Sequence, residues 1–155
     1  MKQMLKVALL FAIAPLAVVA AEPANLVIAD AWVRALPPGQ PNTAAYMMVT
    51  NSSSETVTIV EVSADIAKKT EIHTSRDVDG YQRMEQLQQL SLAPGQSQAF
   101  APGGMHLMLF GLEQMPAEGE QVQLCLKTAA GNETCTTAGV RRGVDTAQSH
   151  EHHQH

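Results

Sequence analysis

One short apolar stretch combines an imidazole with thioether side chains. It spans residues 102–112 and places His106 between Met105 and Met108, directly after a Gly-Gly turn. Because successive side chains of a strand alternate between its faces, His106 and Met108 share one face, and we expect Met105 to point into the core on the other. A ring nitrogen beside a thioether sulfur is a soft ligand pair that suits Cu(I) better than Mg, Ca or Mn ions. A buried core histidine with methionine gap-fillers is the alternative interpretation of this stretch.

A second imidazole and a second thioether flank a turn earlier in the chain. Residues 77–80 have a hairpin sequence of the Asp-Gly type. If these four residues close the hairpin, His73 lies directly opposite Met84, with Cβ atoms about 4.5–5.5 Å apart, although another loop length would shift the register. Taken singly, His73 is typical of a surface position and Met84 of a core position. Together with His106 and Met108 they predict a copper site with two imidazole and two thioether ligands.

The N-terminal residues 1–21 have the form of a secretory signal peptide. Two lysines precede an apolar stretch over residues 7–19 that ends in small residues, and this stretch is too short and wrongly flanked for a spanning helix. We therefore expect export from the cytoplasm and no membrane insertion after cleavage. The 155-residue chain then contains one domain, residues 22–142, and a tail over residues 143–155.

Composition and motifs exclude several classes of function. The chain has 10 basic and 15 acidic residues, a net charge of −5 and no cluster of Lys and Arg, so it has no electrostatic footprint for nucleic acid. It also has no Ser-His-Asp spacing signature, no paired carboxylates beside a histidine and no phosphate-binding glycine loop. We therefore expect a binding protein and not an enzyme.

The two cysteines flank a second hairpin turn. Cys125 and Cys135 lie on either side of residues 129–132, so we expect them opposite or nearly opposite each other on adjacent strands. In an exported protein a structural disulfide is the favoured interpretation, and free thiols that assist a metal are the alternative. The spacing is not Cys-x-x-Cys, which leaves a thioredoxin-like role without support. No histidine follows either cysteine within a few residues, which excludes a blue-copper electron carrier.

Short strands must position these side chains. No stretch has an apolar period of 3.6 residues over a helical length, although residues 64–69 could form one helical turn. Many short strands between Gly and Pro turns predict an all-β sandwich or barrel. The predicted strands cover residues 24–34, 43–50, 55–62, 70–75, 81–85, 88–92, 97–100, 105–110, 121–127 and 133–140.

The intervals between the four candidate ligands match a known motif. The spacing His73-x10-Met84-x21-His106-x-Met108 resembles, at every interval, the copper-binding motif of the PCuAC-type periplasmic copper chaperones. The surroundings are similar to that family over residues 29–126. They include the segments Ala31-Trp32-Val33-Arg34, Tyr46 with Asn51, Glu71-Ile72-His73, and Gly103-Gly104-Met105-His106-Leu107-Met108.

The resemblance implies a fold, a ligand set and partners. The fold is a single-domain, cupredoxin-like Greek-key β-sandwich, and its ligands for one Cu(I) are His73, Met84, His106 and Met108. The resemblance further implies a monomeric periplasmic protein that passes copper toward the copper centre of cytochrome c oxidase, through an oxidase copper subunit or a Sco-type protein. A copper storage or resistance protein is the alternative, because the same ligands would serve. The two cysteines are not part of the family motif.

The C-terminal tail is a separate candidate metal site. Four histidines and an acid within six residues suit borderline ions such as Cu(II), Ni(II) or Zn(II). This pattern is similar to metal-binding extensions of some family members, while a solvated tail or an affinity tag is the alternative. The four histidines are His150, His152, His153 and His155.

Overall fold

The computed structural model describes residues 26–143, and these residues form strands and the turns between them. The predicted signal peptide and the tail histidines lie outside this range. Among the described residues no helix is long and apolar enough to cross a membrane. The strands are β1 (Leu26–Arg34), β2 (Asn42–Asn51), β3 (Val57–Ala64), β4 (Lys69–Val78), β5 (Tyr81–Leu87), β6 (Leu90–Leu92), β7 (Ser97–Phe100), β8 (His106–Phe110), β9 (Gln121–Thr128) and β10 (Glu133–Arg141).

All ten predicted strands are present, and the predicted helical turn is not. At that place the amide of Ala67 donates to the carbonyl of Ala64 over 3.2 Å, which makes a simple turn before β4. One turn of helix fixes several residues for a single hydrogen bond, so a short polar connection between two strands gains little from it.

The strands wrap into one continuous, nearly closed sheet. Their order is β5-β4-β8-β2-β1-β10-β9-β3-β6, and β7 pairs with the far end of β2. The pairing of β1 with β10 is parallel, whereas the other recorded pairs are antiparallel. Strands β2 and β8 are neighbours although five strands separate them in the chain, which is a Greek-key connection. The predicted all-β Greek-key sandwich of a single domain is confirmed.

The core explains why β8 is apolar almost throughout. Leu107 and Leu109 are completely buried and belong to the main core, where Leu124 and Leu126 of β9 also lie. Because side chains alternate along a strand, the other residues of β8 face the opposite side of the sheet, as predicted for His106. Met105, as predicted, packs against the main core. One strand thus supports the core and presents candidate ligands.

A two-residue turn closes the β4–β5 hairpin. Val78 pairs with Tyr81, and the intervening Asp79 and Gly80 have φ angles of 55° and 81°. A type I′ turn requires positive φ at both central residues, which favours an Asp-Gly sequence. The amide of Gly80 also donates to Oδ1 of Asp77 over 2.9 Å. The predicted hairpin is confirmed, with a tighter turn than the four-residue loop expected.

The tighter turn changes the predicted register of this hairpin. His73 pairs with Gln86, and Met84 pairs with Ser75, so the expectation that His73 and Met84 are directly opposed was wrong. The shift is two residues, and side chains repeat with a period of two along a strand. Met84 therefore stays on the face that carries His73, in a diagonal position.

Candidate metal site

Three neighbouring strands bring the candidate ligands to one face of the sheet. Strand β4 lies between β5 and β8, so the hairpin that carries His73 and Met84 borders the strand that carries the other pair. His73 is directly paired with His106 across β4 and β8, and their ring centroids lie 6.0 Å apart. Met108 follows His106 on the same face, opposite Glu71 of β4.

The four side chains differ strongly in exposure. His106 is buried and the side chain of His73 is 15% exposed, so both rings are held within the sheet. Met108 is half-buried and packs against a small cluster that contains Trp32 and Tyr46. Met84 is 63% exposed on the projecting hairpin. Three candidate ligands are thus held by packing, and the fourth lies largely in solvent.

A backbone contact determines which nitrogen of His106 is free. Its Nδ1 lies 2.9 Å from the carbonyl oxygen of Gly104. A carbonyl can only accept, so Nδ1 carries the hydrogen and Nε2 of the neutral ring keeps its lone pair. The same carbonyl accepts from the amide of Ser75 on β4 over 3.3 Å. The turn before β8 is therefore hydrogen-bonded both to His106 of β8 and to Ser75 of β4. Gly103 in this turn has a φ of 81°, a conformation that favours glycine.

A carboxylate plays the corresponding role for His73. Its Nε2 lies 2.7 Å from Oε2 of Glu71, so Nε2 donates and Nδ1 keeps its lone pair. Glu71 also pairs with Lys69, and hydrogen bonds from Lys69 and then His73 lower the pKa of the Glu71 carboxyl, which keeps it ionised. Nδ1 of His73 is buried without a hydrogen-bond partner. A buried acceptor left without a partner is costly, and a metal ion would satisfy it.

Aromatic rings line the buried side of the pair. The ring centroids of Tyr46 and His106 are 6.5 Å apart, and those of Phe110 and His73 are 6.0 Å apart. Trp32 packs on Tyr46 with centroids 4.4 Å apart. Tyr46 and Trp32 are buried and Phe110 is half-buried, so aromatic surface borders the two histidines, whereas Met84 lies on the exposed hairpin.

The Tyr46 hydroxyl stays protonated in this setting. Burial raises the pKa of Tyr46, and the guanidinium of Arg34, 5.2 Å from the ring centroid, acts in the opposite direction to a smaller extent. Arg141 stacks over Trp32 at 4.4 Å. The cluster is therefore an apolar support with cations at its rim, and it offers no further anionic ligand.

Comparisons with known proteins identify the family of the chain. A family model described as "Putative lipoprotein LpqE-like" matches residues 26–140, nearly all of the described chain. The chain belongs to the LpqE-like family. This family is part of the PCuAC family, so the resemblance predicted from the ligand spacing is confirmed.

Solved structures similar to this LpqE-like chain are PCuAC domains. The apo PCuAC domain of PmoF2 has a TM-score of 0.64 and 22% identity and covers 77% of this chain and 92% of that one. Apo-DR1885 from Deinococcus radiodurans has a TM-score of 0.59 and 28% identity, covering 92% and 97%. Its Cu(I) form, CuI-DR1885, has a TM-score of 0.57 and 25% identity, covering 82% and 83%. The cupredoxin-like sandwich is thereby confirmed.

The chain is also similar in sequence to a curated protein that is described as a lipoprotein. "Putative lipoprotein Lxx21020" of Leifsonia xyli subsp. xyli is 28% identical over 106 residues, which are 68% of this LpqE-like chain. The chain spans 63% of the length of that relative.

Two groups that orient the histidines were not among the site residues predicted from the sequence. They are the carboxylate of Glu71 and the carbonyl of Gly104. The spacing Glu71-x-His73 in a predicted strand places both side chains on one face, so that signal was available for Glu71. A backbone carbonyl leaves no signal in residue types, so the role of Gly104 required the structure.

Replacing Glu71 with glutamine should weaken Cu(I) binding by about 10–100-fold, the usual effect of removing the partner that orients a ligating histidine. A glutamine amide can donate to Nε2 of His73, which would move the ring hydrogen to Nδ1 and block that nitrogen. Anaerobic competition titration would measure the affinity, and nitrogen NMR of the imidazole would report the tautomer.

Lys69→Gln is the matched control for this substitution. It removes the exposed partner of Glu71 and leaves the contact between Glu71 and His73 in place, so we expect less than a few-fold change in Cu(I) affinity. Equal losses in both variants would contradict a specific role for Glu71 in orienting His73.

Proposed function

We propose that this protein is a periplasmic copper chaperone that binds one Cu(I) through His73, Met84, His106 and Met108. The observation that carries the proposal is the direct pairing of two histidines that each keep one free ring nitrogen, with Met108 on the same face. Two imidazoles with thioethers form a soft, neutral donor set that favours Cu(I). The Cu(I) form of the related Deinococcus protein supports copper as the cargo.

The unequal exposure of the ligands suits a carrier that must release its ion. His73, His106 and Met108 form a preorganised half of the site, whereas Met84 lies in solvent and closes over the ion when copper binds. Thioethers need no deprotonation, so closure releases no proton. An incoming thiolate or imidazole displaces Met84 first and then the inner ligands one at a time.

Export and delivery complete the proposal. The predicted signal peptide over residues 1–21 and the description of relatives as lipoproteins support a location outside the cytoplasm. The acceptor is a copper site of the cytochrome c oxidase class, reached directly or through a Sco-type protein. The chain acts as a monomer and as a carrier, not as an enzyme.

Anaerobic Cu(I) titration with X-ray absorption would test the ligand set. We expect one tightly bound Cu(I) per chain with both nitrogen and sulfur neighbours, and copper without a sulfur neighbour would contradict the proposal. Mixing the Cu(I)-loaded chain with an apo oxidase copper domain, followed by mass spectrometry, would test donation. Copper that remains on the chain would favour storage or resistance instead.

Met84→Leu should weaken Cu(I) binding about tenfold or more, which is less than the loss expected for a buried ligand because Met84 is largely exposed and little packing holds it in place. Leucine keeps the apolar volume and removes the sulfur, so stability should be unchanged at this exposed position. Met48→Leu is the matched control, because Met48 is also exposed but lies on β2, away from the β4–β5 hairpin. Equal Cu(I) affinities of the two variants in competition titration would remove Met84 from the ligand set.

The tail histidines are proposed as an auxiliary Cu(II) site. The argument is compositional, since borderline ions favour imidazole clusters. Truncation after Arg142 should remove the Cu(II) uptake measured by titration and leave Cu(I) uptake intact, because the two sites use different residues. Loss of both would show that the tail contributes to the Cu(I) site.

A further inference from the structure

A second cluster of potential ligand atoms lies apart from the histidines. Within residues 26–143, Sγ of Cys125, Sγ of Cys135 and a carboxylate oxygen of Glu133 all lie within 4.8 Å of one another. They stand on the hairpin of β9 and β10, and two strands, β2 and β1, separate β10 from β8. The two sulfurs are joined in a disulfide in this structure. The disulfide interpretation of the sequence is therefore confirmed.

The disulfide is on the outer face of the sheet. Val122, Leu124 and Leu126 of β9 point into the core, so Cys125 between them points outward. Cys125 is half-buried, and Cys135 and Glu133 are exposed. Thiol–disulfide exchange needs access of an attacking thiolate to a sulfur, and exposed disulfides are the ones that are readily reduced.

We propose that the reduced form of this pair is a second Cu(I) site, with Cys125 and Cys135 as thiolate ligands and Glu133 at its edge. Thiolates are soft ligands that select Cu(I). The site would exist only in the dithiol form, because a disulfide has no thiolate to offer. This inference does not rest on the His/Met site being correct.

The reductant is a dithiol, as carried by thiol-exchange proteins outside the cytoplasm. Its thiolate attacks one sulfur of the disulfide, forms a mixed disulfide and releases the other cysteine as a thiolate. The second thiol of the reductant then resolves the mixed disulfide, so the reductant becomes a disulfide and the chain gains two electrons and two protons. Cu(I) displaces those two protons when it binds both sulfurs.

The sheet holds the two cysteines together without the disulfide. They are directly paired, with Cα atoms 4.0 Å apart, in a ladder of seven residue pairs that runs from Glu133 with Lys127 to Gly139 with Gln121. The outer edges of both strands are also paired, β9 with β3 and β10 with β1. Reduction therefore breaks one covalent bond and leaves this hydrogen-bond network, which keeps both thiolates within reach of one ion.

Two charged side chains lie near the pair. The carboxylate of Glu133 is within 4.8 Å of both sulfurs, whereas Lys127, its partner in the ladder, follows Cys125 on the same face with its ammonium 3.2 Å from Glu61 of β3. The binding of Cu(I) itself therefore drives the loss of the thiol protons. Copper capacity would thus depend on the redox state of the chain, with a second ion bound under reducing conditions.

Anaerobic Cu(I) titration of the full chain against a chromophoric Cu(I) chelator would test the proposal. The chain would be compared before and after reduction with a phosphine that is removed before copper is added. We expect the reduced chain to bind one more Cu(I) than the oxidised chain, with added sulfur neighbours in X-ray absorption. No added copper, or loss of the folded circular dichroism spectrum on reduction, would overturn the proposal.

Two variants make the result specific. C125S/C135S should bind the same amount of copper with and without phosphine treatment. This variant keeps the tail histidines, so any copper that they bind is the same in both measurements. A reduction-dependent copper in this variant would overturn the proposal. His106→Ala should lose the copper common to both redox states and keep the reduction-dependent one. Failure of the His/Met site and failure of the dithiol site are therefore distinguishable.

Discussion

Replacing His106 with alanine should nearly abolish Cu(I) binding, with a loss of affinity above about 100-fold, because removal of a ligand exceeds the 10–100-fold effect of removing its outer partner. His106 is the more buried of the two histidines, and Gly104 holds its ring with Nε2 free. Without His106, the remaining candidate ligands would be one imidazole, that of His73, and two thioethers, one of which lies in solvent. Anaerobic competition titration would measure the effect.

A second substitution at this position separates lost ligation from lost folding. Asparagine in place of His106 can still donate an amide hydrogen to the carbonyl of Gly104, and it offers no ring nitrogen to copper. We expect His106→Asn to lose Cu(I) binding as strongly as His106→Ala while it unfolds closer to the wild-type urea midpoint. A folded variant with unchanged Cu(I) affinity would exclude His106 as a ligand.

Replacing Leu107 with alanine should lower the free energy of unfolding by about 2–5 kcal/mol, the range for a large-to-small substitution in a packed core. Leu107 is completely buried and lies between two candidate ligands on β8, with its side chain on the core face. Neighbouring strands hold β8 on both sides, so the cavity left by the substitution cannot easily collapse. Urea denaturation of the copper-free chain would measure the loss.

Val60→Ala is the control for this stability effect. Val60 is 43% exposed on β3, so its truncation should change the free energy of unfolding by no more than about 0.5 kcal/mol. A loss below about 1 kcal/mol for Leu107→Ala would contradict the packed core described beneath the site.

The strands were predictable because their signals are local. Alternating side chains and Gly or Pro turns mark each strand, and all ten predicted strands are present, with shifts of a few residues at their ends. The register of the β4–β5 hairpin was not predictable, because both a two-residue and a four-residue loop are compatible with its sequence. The positive φ of Asp79 and Gly80 decides between them, and the period of two then keeps Met84 on the same face as His73.

The sequence by itself determined the candidate ligand types and their spacing, and hence the family and the soft-metal interpretation. Residue chemistry and alternation along a strand suffice for that. Only the tertiary structure decided that His73 is paired with His106, since strands β4 and β8 are distant in the chain and meet through non-local hydrogen bonds. The same pairing brings Gly104 and Glu71 against the two rings and so decides which nitrogens are free.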